Sequence, residues 1–94
     1  MKSLQDALYN WLTIKVVVDA RPDDTAAIET EIMFHNILTK DHGVEVKGIR
    51  KDEVMYFIDF SQESEDKTVR FPIELIDVML NQIQLDPEKY KNYN

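Results

Sequence analysis

Few residues in this 94-residue chain combine the types and the spacing that chemistry requires. Asp59 is the one carboxylate that the expected strand pairing places on an apolar sheet face. A carboxylate shielded in this way has a raised pKa, which is the usual preparation of a general acid or base. Since no second acid is positioned to work with it, a small enzyme centred on Asp59 ranks third among the functional interpretations.

Glu31, His35 and His42 are the residues whose spacing comes nearest to that of a metal site. Glu31 and His35 lie one helical turn apart, and His42 follows seven residues after His35. This spacing is generic, and no second carboxylate-histidine pair completes a site. A local hydrogen bond between Glu31 and His35 is therefore the better interpretation, and no metal is predicted.

The residue inventory excludes several other chemistries. The chain has no cysteine and only two glycines. It therefore has no disulfide, no thiolate zinc site and no glycine-rich phosphate-binding loop. We predict no cofactor and no enzymatic activity.

A β-hairpin is predicted by two alternating stretches, Gly43 to Arg50 and Val54 to Phe60, on either side of Lys51-Asp52. With the turn at these two residues, Ile49 lies opposite Val54 and Val46 opposite Phe57. Because Lys51-Asp52 is not a favoured Asn-Gly turn, a one-residue slip of this register stays open. The alternation gives the sheet an apolar face with Val44, Val46, Gly48, Met55 and Phe57, and a mixed face with Lys47, Ile49, Val54, Tyr56, Ile58 and Phe60.

A third strand, Thr68 to Phe71, is expected after a polar turn over Ser61 to Asp66. Val69 and Phe71 would join the apolar face, and Thr68 and Arg70 would flank Ile58 and Phe60. The three strands then form an antiparallel meander.

Three helices complete the predicted fold. The first runs from Leu4 to about Asp19, and the second from about Thr25 to Asp41, with Gly43 placed to end it. The second helix is apolar nearly all round, which is typical of a central helix or of a subunit interface. The third begins at Pro72, packs on the apolar sheet face so that Phe57 is enclosed, and stops before Pro87.

These elements predict one α+β domain over residues 1–94: helix-helix, a three-stranded antiparallel meander and a C-terminal amphipathic helix, with 86–94 as a polar tail. A hydrophobic fraction of 44% suits such a domain, and the net charge of -7 opposes binding to bare phosphate backbones and favours basic partners. No apolar run approaches the roughly 18 residues of a membrane span, so no membrane association and a cytoplasmic location are predicted.

The mixed face is the candidate partner surface. A partly apolar face of this kind is usually covered, either by the first two helices or by a second subunit. The leading hypothesis is a non-catalytic protein-protein interaction or regulatory module that forms a homodimer and binds an unknown protein partner. The alternative is a nucleic-acid-binding module in which Tyr56 and Phe60 stack bases and Lys47 and Arg70 meet phosphates. The residues predicted for the partner surface are Lys47, Tyr56, Ile58, Phe60 and Arg70.

Overall fold

A computed structural model describes residues 3–85 and confirms the α+β class. Two helices precede a three-stranded antiparallel sheet of order β1-β2-β3, and short helices follow it. The predicted tail, 86–94, and the predicted helix stop before Pro87 lie outside the described residues. The elements are α1 (Leu4–Ala20), α2 (Thr25–Asn36), β1 (Val44–Lys51), β2 (Met55–Gln62), β3 (Glu65–Pro72), α3 (Ile73–Ile76) and α4 (Val78–Leu85).

The helix starts follow from local capping. The Ser3 hydroxyl accepts a hydrogen bond from the Asp6 backbone N–H at 3.2 Å, and the Asp24 carboxylate accepts one from the Ala27 N–H at 3.1 Å. Each bond satisfies a backbone donor that a helix start leaves free. A π-helical segment, Ile37–Asp41, continues α2 to the predicted end. Gly43 then adopts a φ of +62°, a conformation that favours glycine and turns the chain into β1.

The C-terminal helix is two helices and not one. α3 ends at Ile76, and α4 begins at Val78. At the break, the Asp77 carboxylate accepts a hydrogen bond from the Tyr56 hydroxyl at 3.2 Å. No helix in the described part of the chain is long and apolar enough to cross a membrane.

The turn of the first hairpin lies beyond the predicted one. Asp52 makes it, because its Oδ1 accepts hydrogen bonds from the backbone N–H groups of Val54 and Met55 at 2.8 and 2.7 Å. Ile49 consequently pairs with Ile58 and not with Val54. This shift of four residues leaves the face of every side chain unchanged, since side chains alternate with a period of two.

A β-bulge at Lys47 then changes the faces. The pairing of Gly48 with Asp59 is followed by that of Val46 with Phe60, so Lys47 is the extra residue on β1. Val44 and Val46 therefore share a face with the alternate residues of β2 that begin at Tyr56. The predicted grouping of Val44 and Val46 with Met55 and Phe57 is wrong for this reason.

The core lies between α1 and this face of the sheet. Helix α1 contributes Ala7, Leu8, Trp11 and Leu12, and Ile76 of α3 closes the cluster from one end. From the sheet, the core takes Val44, Tyr56, Ile58, Phe60 and Phe71, with Val46 and Val69 packed against them.

Helix α2 packs mainly on α1 and is not central to the domain. Ala27 is its one buried residue, while Ile32 and Met33 are each 51% exposed. The described helices therefore cover one face of the sheet and leave the other face open.

Candidate interaction surface

The outer face of the sheet consists of the strand side chains that point away from α1. Strand pairing arranges most of them in three rows that cross the sheet. Successive rows are two residues apart on β2 and β3, which is roughly 7 Å. The rows are Arg50, Phe57 and Arg70; Gly48, Asp59 and Thr68; and Glu45, Ser61 and Asp66.

Arg50 and Asp59 form a bidentate ion pair on the outer face. Arg50 donates from Nε to Asp59 Oδ2 at 2.6 Å and from Nη2 to Oδ1 at 2.8 Å, a bidentate geometry that fixes the guanidinium plane. The same guanidinium lies over the Phe57 ring, with 5.1 Å from Cζ to the ring centroid. Thr68 Oγ1 donates a third hydrogen bond to Asp59 Oδ1 at 2.7 Å.

Asp59 therefore lacks the properties that were predicted for a general acid or base. Its side chain is one-third exposed, on the outer face and not on the apolar one. The hydrogen bonds from Arg50 and from Thr68 lower its pKa from 3.8 to about 2. The environment thus holds the carboxylate in its charged form and opposes proton exchange near neutral pH.

The residues of the predicted partner surface are divided between core and surface. Tyr56, Ile58 and Phe60 do share a face, but they are 8%, 0% and 2% exposed and lie beneath α1. Burial raises the pKa of the Tyr56 hydroxyl, and the nearby Asp77 carboxylate adds to the effect. Lys47 and Arg70 are exposed, and Arg70 pairs with Phe57 on the outer face instead of flanking Ile58.

Sequence reasoning missed Arg50, Phe57 and Asp66 as members of the open face. The sequence of β2 does indicate which face is open. Tyr56, Ile58 and Phe60 form a uniformly apolar set, and this set alternates with Phe57, Asp59 and Ser61. In an alternating strand, a charged residue indicates the solvent face directly. The expected pairing with the neighbouring strand is a less direct guide.

Two charges of the outer face have no partner among the side chains of residues 3–82. Arg50 is neutralised by Asp59, and Glu45 Oε1 lies 3.2 Å from Lys47 Nζ. Arg70 and Asp66 are both exposed, and no described side chain forms an ion pair or hydrogen bond with either. Among the described side chains, the outer face therefore has one free positive and one free negative charge, both on β3.

Glu31 and His35 line a groove of about 430 Å³ between the helices and β1. The predicted hydrogen bond between them is replaced by one from the Trp11 indole N–H to Glu31 Oε2 at 2.8 Å. His35 lies against the same indole, with ring centroids 6.3 Å apart. Within the described chain, no group of three or more histidines and carboxylates is placed to hold a metal ion.

Comparison of the chain with protein-family models, with curated proteins and with solved structures finds no match. The site itself is therefore the basis for a functional proposal.

Proposed function

We propose that this protein is a non-catalytic protein-interaction module of the cytoplasm that binds its partner through the outer face of the sheet. One observation carries the proposal: the described helices all pack away from this face, which leaves a row of Arg50, Phe57 and Arg70 open to a partner. Aromatic residues and arginine are the types that contribute most often to the energy of protein interfaces.

The fixed position of Arg50 in this row favours binding. Arg50 is already held over Phe57 and against Asp59, so it loses little side-chain entropy when a partner docks. Phe57 and Met55 remain only half-buried, and a partner that covered them would remove apolar surface from water. The lowered pKa of Asp59 adds support for a binding role over acid-base catalysis.

Affinity capture from a cytoplasmic extract, with and without nuclease, tests the proposal. We expect a stoichiometric, nuclease-resistant protein partner that is lost or weakened by at least about tenfold when Phe57→Ala or Arg70→Glu removes an interface anchor. Lys40→Glu is a matched control, since it makes the same change of charge at an exposed position of the π-helical segment. Met33→Ala is the control for Phe57→Ala, because Met33 is an exposed apolar residue of α2.

The controls should retain the partner. Loss of the partner with Met33→Ala or Lys40→Glu, together with its retention by both outer-face variants, would place binding on the helical layer and contradict the proposal.

Nucleic-acid binding is the second candidate function, and the same row favours it. Phe57 could stack on a base while Arg50 and Arg70 on either side meet phosphates. The net charge of -7 and the carboxylates of Asp59 and Asp66 on the same face oppose this function. Titration with short single strands at low and moderate salt decides: tight binding that falls steeply with salt and is lost with Arg70→Glu would establish it over the first.

A further inference from the structure

The two free charges of the outer face cannot neutralise each other within one molecule. Asp66 and Arg70 are four residues apart on β3. At about 3.3 Å per residue, their Cα atoms are roughly 13 Å apart, with Thr68 between them, and their side chains form no ion pair. A partner that compensates both must therefore present an acid and a base at the same spacing and in the reverse order.

A second copy of this chain meets that requirement in one orientation. In this orientation a two-fold axis lies between the two outer faces and runs across the strands, along the row of Gly48, Asp59 and Thr68. Strand β3 then lies antiparallel on β3 of the second copy. Arg70 of each copy then lies over Asp66 of the other, since the two residues are equidistant from Thr68. An axis parallel to the strands would instead bring Arg70 onto Arg50 and Asp66 onto Glu45 of the second copy, so neither free charge would meet an opposite charge.

We propose that the outer face binds a second copy of this chain about the perpendicular axis, through two reciprocal contacts between Arg70 and Asp66. The inference rests on the proposed function, because it names the partner of the same surface. It is an isologous contact, in which each residue that touches a neighbour is touched by its equivalent.

The shape of the face agrees with this orientation. Phe57 lies four residues from Ser61 on β2, and the axis brings each Phe57 over Ser61 of the other copy. A large side chain thus meets a small one, which lets two sheets approach to the usual distance of about 10 Å. The two Asp59 carboxylates meet near the axis, and each is compensated by its own Arg50.

The area of the face sets the strength of the dimer. Three strands of eight residues, spaced about 4.8 Å apart, have a footprint of roughly 300 to 400 Å². This is about half of the roughly 800 Å² per partner in a stable standard-size interface. Interfaces of this small area belong to weak, reversible complexes, so we expect association at concentrations on the order of 10 to 100 µM.

Charge-swap complementation tests the geometry. In sedimentation velocity between about 10 and 500 µM, the 11.1 kDa parent should shift towards a dimer. Arg70→Asp and Asp66→Arg should each weaken self-association by at least about tenfold, because each variant sets like charges opposite one another. An equimolar mixture of the two variants should form a heterodimer, and the double variant Asp66→Arg/Arg70→Asp should again form a homodimer.

Two matched variants serve as controls on the helical layer. Lys40→Asp makes the same charge change as Arg70→Asp, and Met33→Asp would disrupt any dimer that used the exposed face of α2. Both should associate like the parent. The swapped positions are exposed, so circular dichroism should show folded variants. If either single variant unfolds, Asp66→Lys with Arg70→Glu is a second complementary pair.

A parent that stays monomeric throughout the range, or a mixture no better associated than its components, would overturn the inference. Dimer loss with Met33→Asp but not with Arg70→Asp would also overturn it. A monomeric parent that captures a different protein, and loses it with Arg70→Asp, would leave the proposed function standing without the dimer. A monomeric parent that captures a different protein regardless of the outer-face variants would contradict both the dimer and the proposed function.

Discussion

Asp59 links the charge of the outer face to the stability of the fold. Its pKa is lowered to about 2 by the hydrogen bonds from Arg50 and Thr68. A carboxyl group with a lower pKa in the folded state stabilises the fold above its unfolded pKa and loses that contribution as the pH falls through its folded pKa. The stability from this contact is therefore complete above about pH 4 and is lost between about pH 4 and pH 2.

The first prediction is that Asp59→Asn makes the protein less sensitive to acid. Between about pH 4 and pH 2, the variant should take up about one proton fewer on unfolding than the parent does. Urea unfolding at a series of pH values measures this difference. Asp66→Asn is the control, since Asp66 has no side-chain partner among the described residues. The unfolding free energy of the variant should still depend on pH to some extent, because the backbone N–H groups of Val54 and Met55 lower the pKa of Asp52 as well.

The second prediction compares two phenylalanines that lie three residues apart on β2 and on opposite faces of the sheet. Phe60 is 2% exposed beneath α1, so Phe60→Ala should cost roughly 3 to 5 kcal/mol of unfolding free energy. Phe57 is half-buried on the outer face, so Phe57→Ala should cost only about 1 kcal/mol. Urea denaturation of both variants measures the difference, and a larger loss for Phe57→Ala would mean that the two faces are inverted.

At the scale of elements, the second hairpin is tighter than its sequence indicates. The polar stretch from Ser61 to Asp66 reads as one long turn, yet β2 continues to Gln62 and β3 begins at Glu65. Glu63 and Ser64 alone make the turn, with φ values of 53° and 65°. Two consecutive positive φ angles are typical of a type I′ turn, whose twist matches that of the strands but which favours asparagine and glycine.

The third prediction is that Ser64→Gly stabilises the protein by roughly 0.5 to 1 kcal/mol, because glycine adopts a positive φ without a steric cost. Thermal unfolding at neutral pH should show the gain as a higher midpoint. Ser61→Gly is the matched control: Ser61 is within β2, where glycine should destabilise the strand by a similar amount. Destabilisation by Ser64→Gly would contradict the turn assignment.

At the scale of the whole molecule, the helices and the sheet form two layers with one core between them. Strand β2 is hydrogen-bonded on both sides, and α1 contributes the helical half of the core. β1 and β3 each have a free edge among the described residues. Stability should therefore be distributed from the centre of the sheet outwards.

The fourth prediction follows from this distribution. Hydrogen exchange should be slowest for amides of β2 and of the core-facing part of α1, since these open only when the whole domain unfolds. Amides of α2 near Ile32 and Met33 should exchange at least about tenfold faster, because this helix buries little. NMR measures both sets in one experiment, and equal protection of α2 and β2 would argue for a larger core than the one described.

The sequence by itself determined the class of fold and the starts of the first two helices. The first two helices begin after the capping residues Ser3 and Asp24, and the chain leaves the second helix at Gly43. These features depend on hydrogen bonds and dihedral angles within a few residues, so a local pattern is enough to predict them. Alternation likewise identified Tyr56, Ile58 and Phe60 as residues of one face. Which face is buried is not a local property.

Only the tertiary structure decided the faces of the sheet and, with them, the candidate site. The turn that Asp52 forms sets the pairing of β1 with β2, and the single extra residue at Lys47 exchanges the faces of Val44 and Val46. Because side chains alternate with a period of two, one bulged residue moves the side chains between the bulge and the start of β1 to the other face. Tyr56, Ile58 and Phe60 of the predicted partner surface thus became core residues, while Arg70 joined Arg50 and Phe57 in the open row.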